Sequence, residues 1–121
     1  MADHLDLGVK GEKLAQNHLR AQQYEVLEIN WRFQKAEIDI IAYDGEVLAF
    51  VEVKTRTTDK WGKPEESISP KKQALIADAA SQYMELIKHE WEVRFDVISI
   101  IIPKYGPHRL HHHKDAFFPG W

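Results

Sequence analysis

Apolar and charged positions alternate along Glu37–Lys54, Glu-Ile-Asp-Ile-Ile-Ala-Tyr-Asp-Gly-Glu-Val-Leu-Ala-Phe-Val-Glu-Val-Lys, with the period of two expected of a β-hairpin. Asp44-Gly45 between two β-branched runs is a strong hairpin signal. A two-residue turn there sets Tyr43 opposite Glu46, Ile41 opposite Leu48, Asp39 opposite Phe50 and Glu37 opposite Glu52. Glu37, Asp39, Glu52 and Lys54 then share one face, and Ile38, Ile40, Val47, Ala49, Val51 and Val53 take the other. Carboxylates directly opposed on neighbouring strands repel, and a cation between them relieves the repulsion.

On either side of the hairpin the period changes. Leu7, Gly11, Leu14, Ala15 and Leu19 recur at helical intervals and predict an amphipathic helix from about Gly8 to Gln22. Glu12 falls on or beside its inward face, where an unpaired carboxylate is costly; a first-turn acid favoured by the helix dipole is the alternative. Tyr24–Trp31 reads as a strand with Leu27, Ile29 and Trp31 on one side, and Arg56–Ser69, with Gly62 and Pro64, as a long loop. Ser69-Pro70 starts a second helix running to about His89, with Leu75, Ile76, Ala79, Tyr83, Leu86 and Ile87 as its buried stripe. Lys71 and Lys72 occupy its first turn, where the dipole disfavours cations, so they are either solvated or placed for a phosphate. Trp91–Ile102 is an interior strand, its Ile98 and Ile100–Ile102 run stopped by Pro103. Lys104–Trp121 shows no clear period; Phe117, Phe118 and Trp121 are its expected anchors. The middle residue of His111–His113 faces away from its neighbours, so the three cannot share one metal.

The 121 residues contain no long polar linker and are expected to form a single domain, 1–121, with the tail 104–121 unassigned. The absence of cysteine excludes disulfides and thiolate zinc sites. No apolar run reaches the length of a membrane span and the first residues lack a signal-peptide core, so the expectation is a cytoplasmic protein without a membrane partner. A net charge of −3 argues against indiscriminate coating of DNA. Locally the balance reverses: Lys54, Arg56, Lys60, Lys63, Lys71 and Lys72 stand against Asp59, Glu65 and Glu66, forming either a basic rim beside the acids or a solvated loop.

Hydrolysing a phosphodiester requires a cation for the phosphoryl oxygens, a lowered pKa for the attacking water and help for the departing oxygen. Magnesium prefers carboxylates with retained waters and substrate phosphate. Asp39 and Glu52 are the candidate ligands, joined by the backbone carbonyl of Val53. Lys54 lies about 6.6 Å beyond Glu52 on the same face, within reach of a water or phosphate oxygen. Flanking carboxylates are expected to favour its charged form, and Glu37 and Glu12 are candidates for a second ion or for orienting water. On the residues alone, a solvated face of a two-stranded ribbon accounts for the same acids.

The Asp, then Glu-x-Lys order resembles the PD-(D/E)xK nucleases, the restriction-endonuclease-like superfamily. More narrowly, Gly8-Val9-Lys10-Gly11-Glu12, Tyr24–Arg32, Glu37-Ile38-Asp39-Ile40-Ile41, Phe50-Val51-Glu52-Val53-Lys54-Thr55-Arg56 and Arg94-Phe95-Asp96-Val97 resemble the YraN-like family of small bacterial proteins, usually compared with archaeal Holliday-junction resolvases. The resemblance runs to Ile102 and implies an α/β, restriction-endonuclease-like fold with a central mixed β-sheet flanked by helices. It also implies catalytic roles for Asp39, Glu52, Lys54 and Glu12. One departure is Ala36, where the family usually has glycine, which bears on the bend entering the strand. Arg94 and Asp96 also match, with a contact between the two as a structural explanation. The expected function is a Mg2+- or Mn2+-dependent nuclease acting on structured or branched DNA, with Asp39, Glu52, Glu12 and Val53 at the metal and Lys54 at the transition state. Cutting a junction needs two sites and hence a symmetric homodimer. The alternative is a noncatalytic nucleic-acid or protein interaction module on the same scaffold. RNA differs from DNA here only as substrate.

Overall fold

The computed structural model describes residues 3–58 and 68–119. Helix α1 (Asp3–Ala21) is followed by strands β1 (Glu25–Phe33), β2 (Ala36–Asp44) and β3 (Val47–Arg56), helix α2 (Pro70–Ile87), and strands β4 (Val93–Ile101) and β5 (Arg109–His113). The strands form one sheet in the order β1-β2-β3-β4-β5. Neighbours are antiparallel except β3 and β4, which run parallel as strands joined through a helix do. This is the expected α/β architecture, a five-stranded mixed sheet flanked by two helices and consistent with a restriction-endonuclease-like fold. No described helix is long and apolar enough to cross a membrane.

The sheet buries both faces. Against α2 lie Ile41, Leu48, Phe50, Phe95 and Val97 with Ile76, Ala79, Ala80 and Tyr83; against α1 lie Ile40, Ala42, Ala49, Val51, Ile98 and Ile100 with Ala15 and Leu19. Burial on both sides explains why β4 is almost continuously apolar. The Ser69 hydroxyl caps α2 by accepting the Lys72 N–H at 3.1 Å, and Pro70 sits in the first turn, where a missing N–H costs nothing.

Several expectations are corrected. The β2–β3 turn is Gly45–Glu46, not Asp44–Gly45: glycine takes the first central position with φ +61°, and Tyr43 pairs with Leu48, Ile41 with Phe50 and Ile40 with Val51. Ile38 packs with the α2 cluster while Ile40 packs with that of α1, so the expected apolar face is not continuous. In β1, a register shift between Val26 and Glu28 and a left-handed Asn30 (φ 51°) break the alternation, leaving Ile29 exposed while Leu27 and Trp31 pack inward. Leu86 and Ile87 lie on the exposed end of α2 rather than in its buried stripe. The tail contributes β5, paired antiparallel to β4. Within the tail, Phe117 packs 5.4 Å from Phe95 between ring centroids, whereas Phe118 is exposed; Trp121 and the loop residues 59–67, including Lys60 and Lys63, lie outside the described residues. Ala36 is buried within β2, pairing with Phe33, and shows no positive φ, so the strand accommodates the methyl group.

Candidate active site

The recorded pairing of β2 with β3 ends at Ile40 and Val51, and side chains take over beyond it. The Val53 N–H donates to Asp39 Oδ2 at 2.7 Å, and the Asp39 N–H donates to Glu52 Oε2 at 3.4 Å. A carboxylate thus stands where a backbone carbonyl would continue the ladder. Asp39, and not Glu37, is the acid that meets Glu52. Glu37 is held away by an ion pair with Arg32 at 2.9 Å.

Glu52 is only 2% exposed, and its nearest cation comes from the far end of the loop: Lys72 Nζ lies 3.4 Å from Glu52 Oε1. Burial, then the charge of Asp39, pushes the Glu52 carboxyl up to about 7 despite Lys72. Asp39 is raised too, by burial above all; the Val53 amide and Lys72 favour its charged form, while Glu12 and Glu37 oppose it. A buried and a half-buried carboxylate that feel each other's charge therefore remain short of positive charge.

Lys54 departs from expectation. Its pKa is lowered, by burial first and then by the charge of nearby Lys72; Glu52 and Asp39 pull the other way without prevailing. Burial also acts against the charge of Lys72, but the Glu52 carboxylate raises its pKa overall. Lys72 is the residue whose part the sequence pattern did not disclose. Its one local sign was a cation in the first turn of a helix, an unfavourable position unless a tertiary partner compensates.

Glu12 approaches from α1. A Cβ added at Gly11 would collide with the Thr55 hydroxyl and lie 2.9 Å from the Thr55 Cβ, so glycine lets α1 lie close against β3. Glu12 Oε2 accepts from Asn30 Nδ2 at 3.5 Å, and its charge reaches Asp39. Among the described residues, no group of three or more His, Cys, Asp or Glu side chains is placed to hold a metal, which leaves Asp39 and Glu52 as a two-carboxylate donor set. Such a set suits a hard divalent ion that keeps several waters, and the deficit of positive charge around the pair suits it as well.

On the opposite face, Asp96 is fully buried. It accepts from Arg94 Nε at 2.8 Å and Nη2 at 3.0 Å, from the Asp115 N–H at 3.0 Å, and lies 2.8 Å from His112 Nε2. Arg94 also reaches Asp44 and the Tyr24 hydroxyl, and His112 Nδ1 lies 3.3 Å from His18 Nε2. The expected Arg94–Asp96 contact is present. The histidines alternate as the strand requires: His112 turns to Asp96, while His111 and His113 stack 6.0 Å apart between ring centroids.

Comparison with known proteins places this geometry in a family. Residues 11–100 match the model of a family described as Uncharacterised protein family UPF0102, a stretch that contains Glu12, Asp39, Glu52, Lys54 and Lys72. A UPF0102 protein of Christiangramia forsetii is 48% identical over 118 residues, covering 98% of both chains. One of Flavobacterium psychrophilum is 41% identical over 118 residues, again covering 98% of both, and one of Thermodesulfovibrio yellowstonii is 43% identical over 114, covering 94% of this chain and 97% of the relative. The family match and this near full-length similarity agree: the chain belongs to the UPF0102, or YraN-like, family.

Proposed function

We propose that this protein is a metal-dependent nuclease of the PD-(D/E)xK type that hydrolyses phosphodiester bonds in structured or branched DNA, using Mg2+ or Mn2+. The observation that carries the reading is the meeting of Asp39 and Glu52 on adjacent strands: the Asp39 N–H donates to the buried Glu52 carboxylate, and the half-buried Asp39 carboxylate lies close enough to raise it, so the pair is incompletely neutralised. A fold selected for stability alone gains nothing from that arrangement, whereas a site for a hard cation requires it.

Bound between these acids, the ion would supply charge for the phosphoryl oxygens and a lowered pKa for the attacking water. The protein's own groups do the remainder. Asp39 and Glu52, with the Val53 carbonyl, would hold the ion, and the Val53 N–H fixes the Asp39 carboxylate. Glu12, held by Asn30, orients water at the margin. Lys54 works at Nζ: protonated, it donates to a phosphate oxygen, and because its pKa is lowered it exchanges that proton more readily than an ordinary lysine. A four-way junction offers two strands to cut, which calls for a symmetric homodimer with two such sites.

The test is cleavage of a labelled four-way junction, a flap and a plain duplex by purified protein with Mg2+ or Mn2+. Cleavage of the structured substrates is expected, lost on adding a chelator and reduced at least about 100-fold in Asp39→Ala and in Lys54→Ala. Activity that survives both substitutions removes the assignment.

A further inference from the structure

Lys72 holds a place in this site that the hydrolysis scheme leaves without a task. Its ammonium lies 3.4 Å from Glu52 Oε1, while the other Glu52 oxygen accepts the Asp39 N–H. Any divalent ion held by Asp39 and Glu52 draws on the same carboxylate, and an ammonium and a dication crowded at one oxygen repel each other. The lysine has somewhere to go. Its side chain is 42% exposed, and it lines a cleft of about 290 Å3 with Lys35, Glu37, Ser69 and Lys71. Leaving Glu52 also separates Lys72 from Lys54, the second cation packed against it.

We propose that Lys72 is an internal counter-ion for Glu52 which an incoming divalent ion displaces, and that the released ammonium then binds a phosphate oxygen of the nucleic acid strand in the adjoining cleft. The inference rests on the metal site proposed above. Without metal, Lys72 is the cation that partly offsets the burial of the Glu52 carboxylate and holds it in position. With metal, it adds positive charge to the substrate path, so metal uptake and nucleic-acid affinity are linked through one side chain.

Calorimetric titration of the full-length protein with MnCl2 at pH 8.5, where a proton does not readily replace Lys72 on Glu52, tests the first half. Lys72→Met removes the competing charge, and Lys72→Gln is a second variant in case the first does not fold; thermal melts check both. Each folded variant is expected to bind Mn2+ roughly 3- to 10-fold more tightly than the wild type. At saturating Mn2+, each is also expected to bind a labelled four-way junction more weakly. Variants that bind Mn2+ equally or less well overturn the displacement, and unchanged junction affinity overturns the phosphate contact. Wild-type protein that takes up no Mn2+ overturns the metal site itself, a failure separable from that of Lys72.

Discussion

Two buried acids, on opposite faces of one sheet, are treated in opposite ways. Asp96 is completely enclosed, yet its carboxyl lies below the usual carboxylate range: burial would raise it, but His112, Arg94 and the Asp115 amide outweigh that cost. Glu52 is nearly as enclosed and has one ammonium and one amide, each at 3.4 Å, and its carboxyl rises to about 7. The strands are adjacent, Glu52 pairing with Val97 and Asp96 with Val51, so position in the sheet does not explain the contrast. Donor supply does. The fold saturates an acid that serves as a structural lock and leaves short of charge the acids that we assign to a cation.

If the contrast is real, neutralising the two acids will have unlike consequences. Asp96→Asn breaks a buried ion network and strands Arg94, with an expected loss of about 3–5 kcal/mol in urea unfolding. A loss under 1 kcal/mol would remove the distinction between lock and site.

The pH dependence sharpens it further. Because the folded-state pKa of Glu52 is raised from 4.5 to about 7, its contribution to stability is fully present below 4.5 and is lost as pH rises through about 7; Asp39 acts in the same direction. Asp96 and Asp44 are lowered, so their contributions are present above the usual 3.8 and are lost as pH falls through their depressed values. Glu52→Gln should therefore flatten the decline in stability between pH 4.5 and 7, by at most about 3 kcal/mol, without altering the acid limb. Denaturant melts across pH provide the check, and an unchanged slope would show that Glu52 is fully compensated.

A smaller effect separates the two regions through α1, which offers Gly11 and Glu12 to one and His18 to the other. Gly11→Ala should cost about 1–2 kcal/mol by forcing α1 off Thr55, even though alanine favours a helix. Thermal melts would measure that cost, and Thr55→Ala in the same chain should recover part of it.

Much of the site was legible because β periodicity is robust to error in the right multiple. The expected turn was misplaced, but moving Tyr43 from Glu46 to Leu48 is a two-residue slip, which leaves the paired residues Ile40–Asp44 and Val47–Val51 on their expected faces even though Ile38 changes sides. Asp39, Glu52 and Lys54 therefore stayed together, and the slip brought Asp39 to the place at Glu52 first given to Glu37. The α/β class was readable from the same alternation. What escaped depended on distant partners. Lys72 acquires its meaning only when α2 brings it to Glu52; β5 is a short strand defined by its pairing with β4; and the lowered pKa of Lys54 follows from burial and a second lysine that spacing alone does not reveal. Leu86 and Ile87 continue the helical stripe but run past the edge of the sheet, so the pattern outlasted its partner.

Calorimetric titration of Mn2+ into the wild type and into Asp39→Asn asks most directly whether the β2–β3 acids form a cation site. The account predicts saturable binding by the wild type that is lost in the variant while the fold is retained. Absence of wild-type binding, or the same affinity in both proteins, would contradict it.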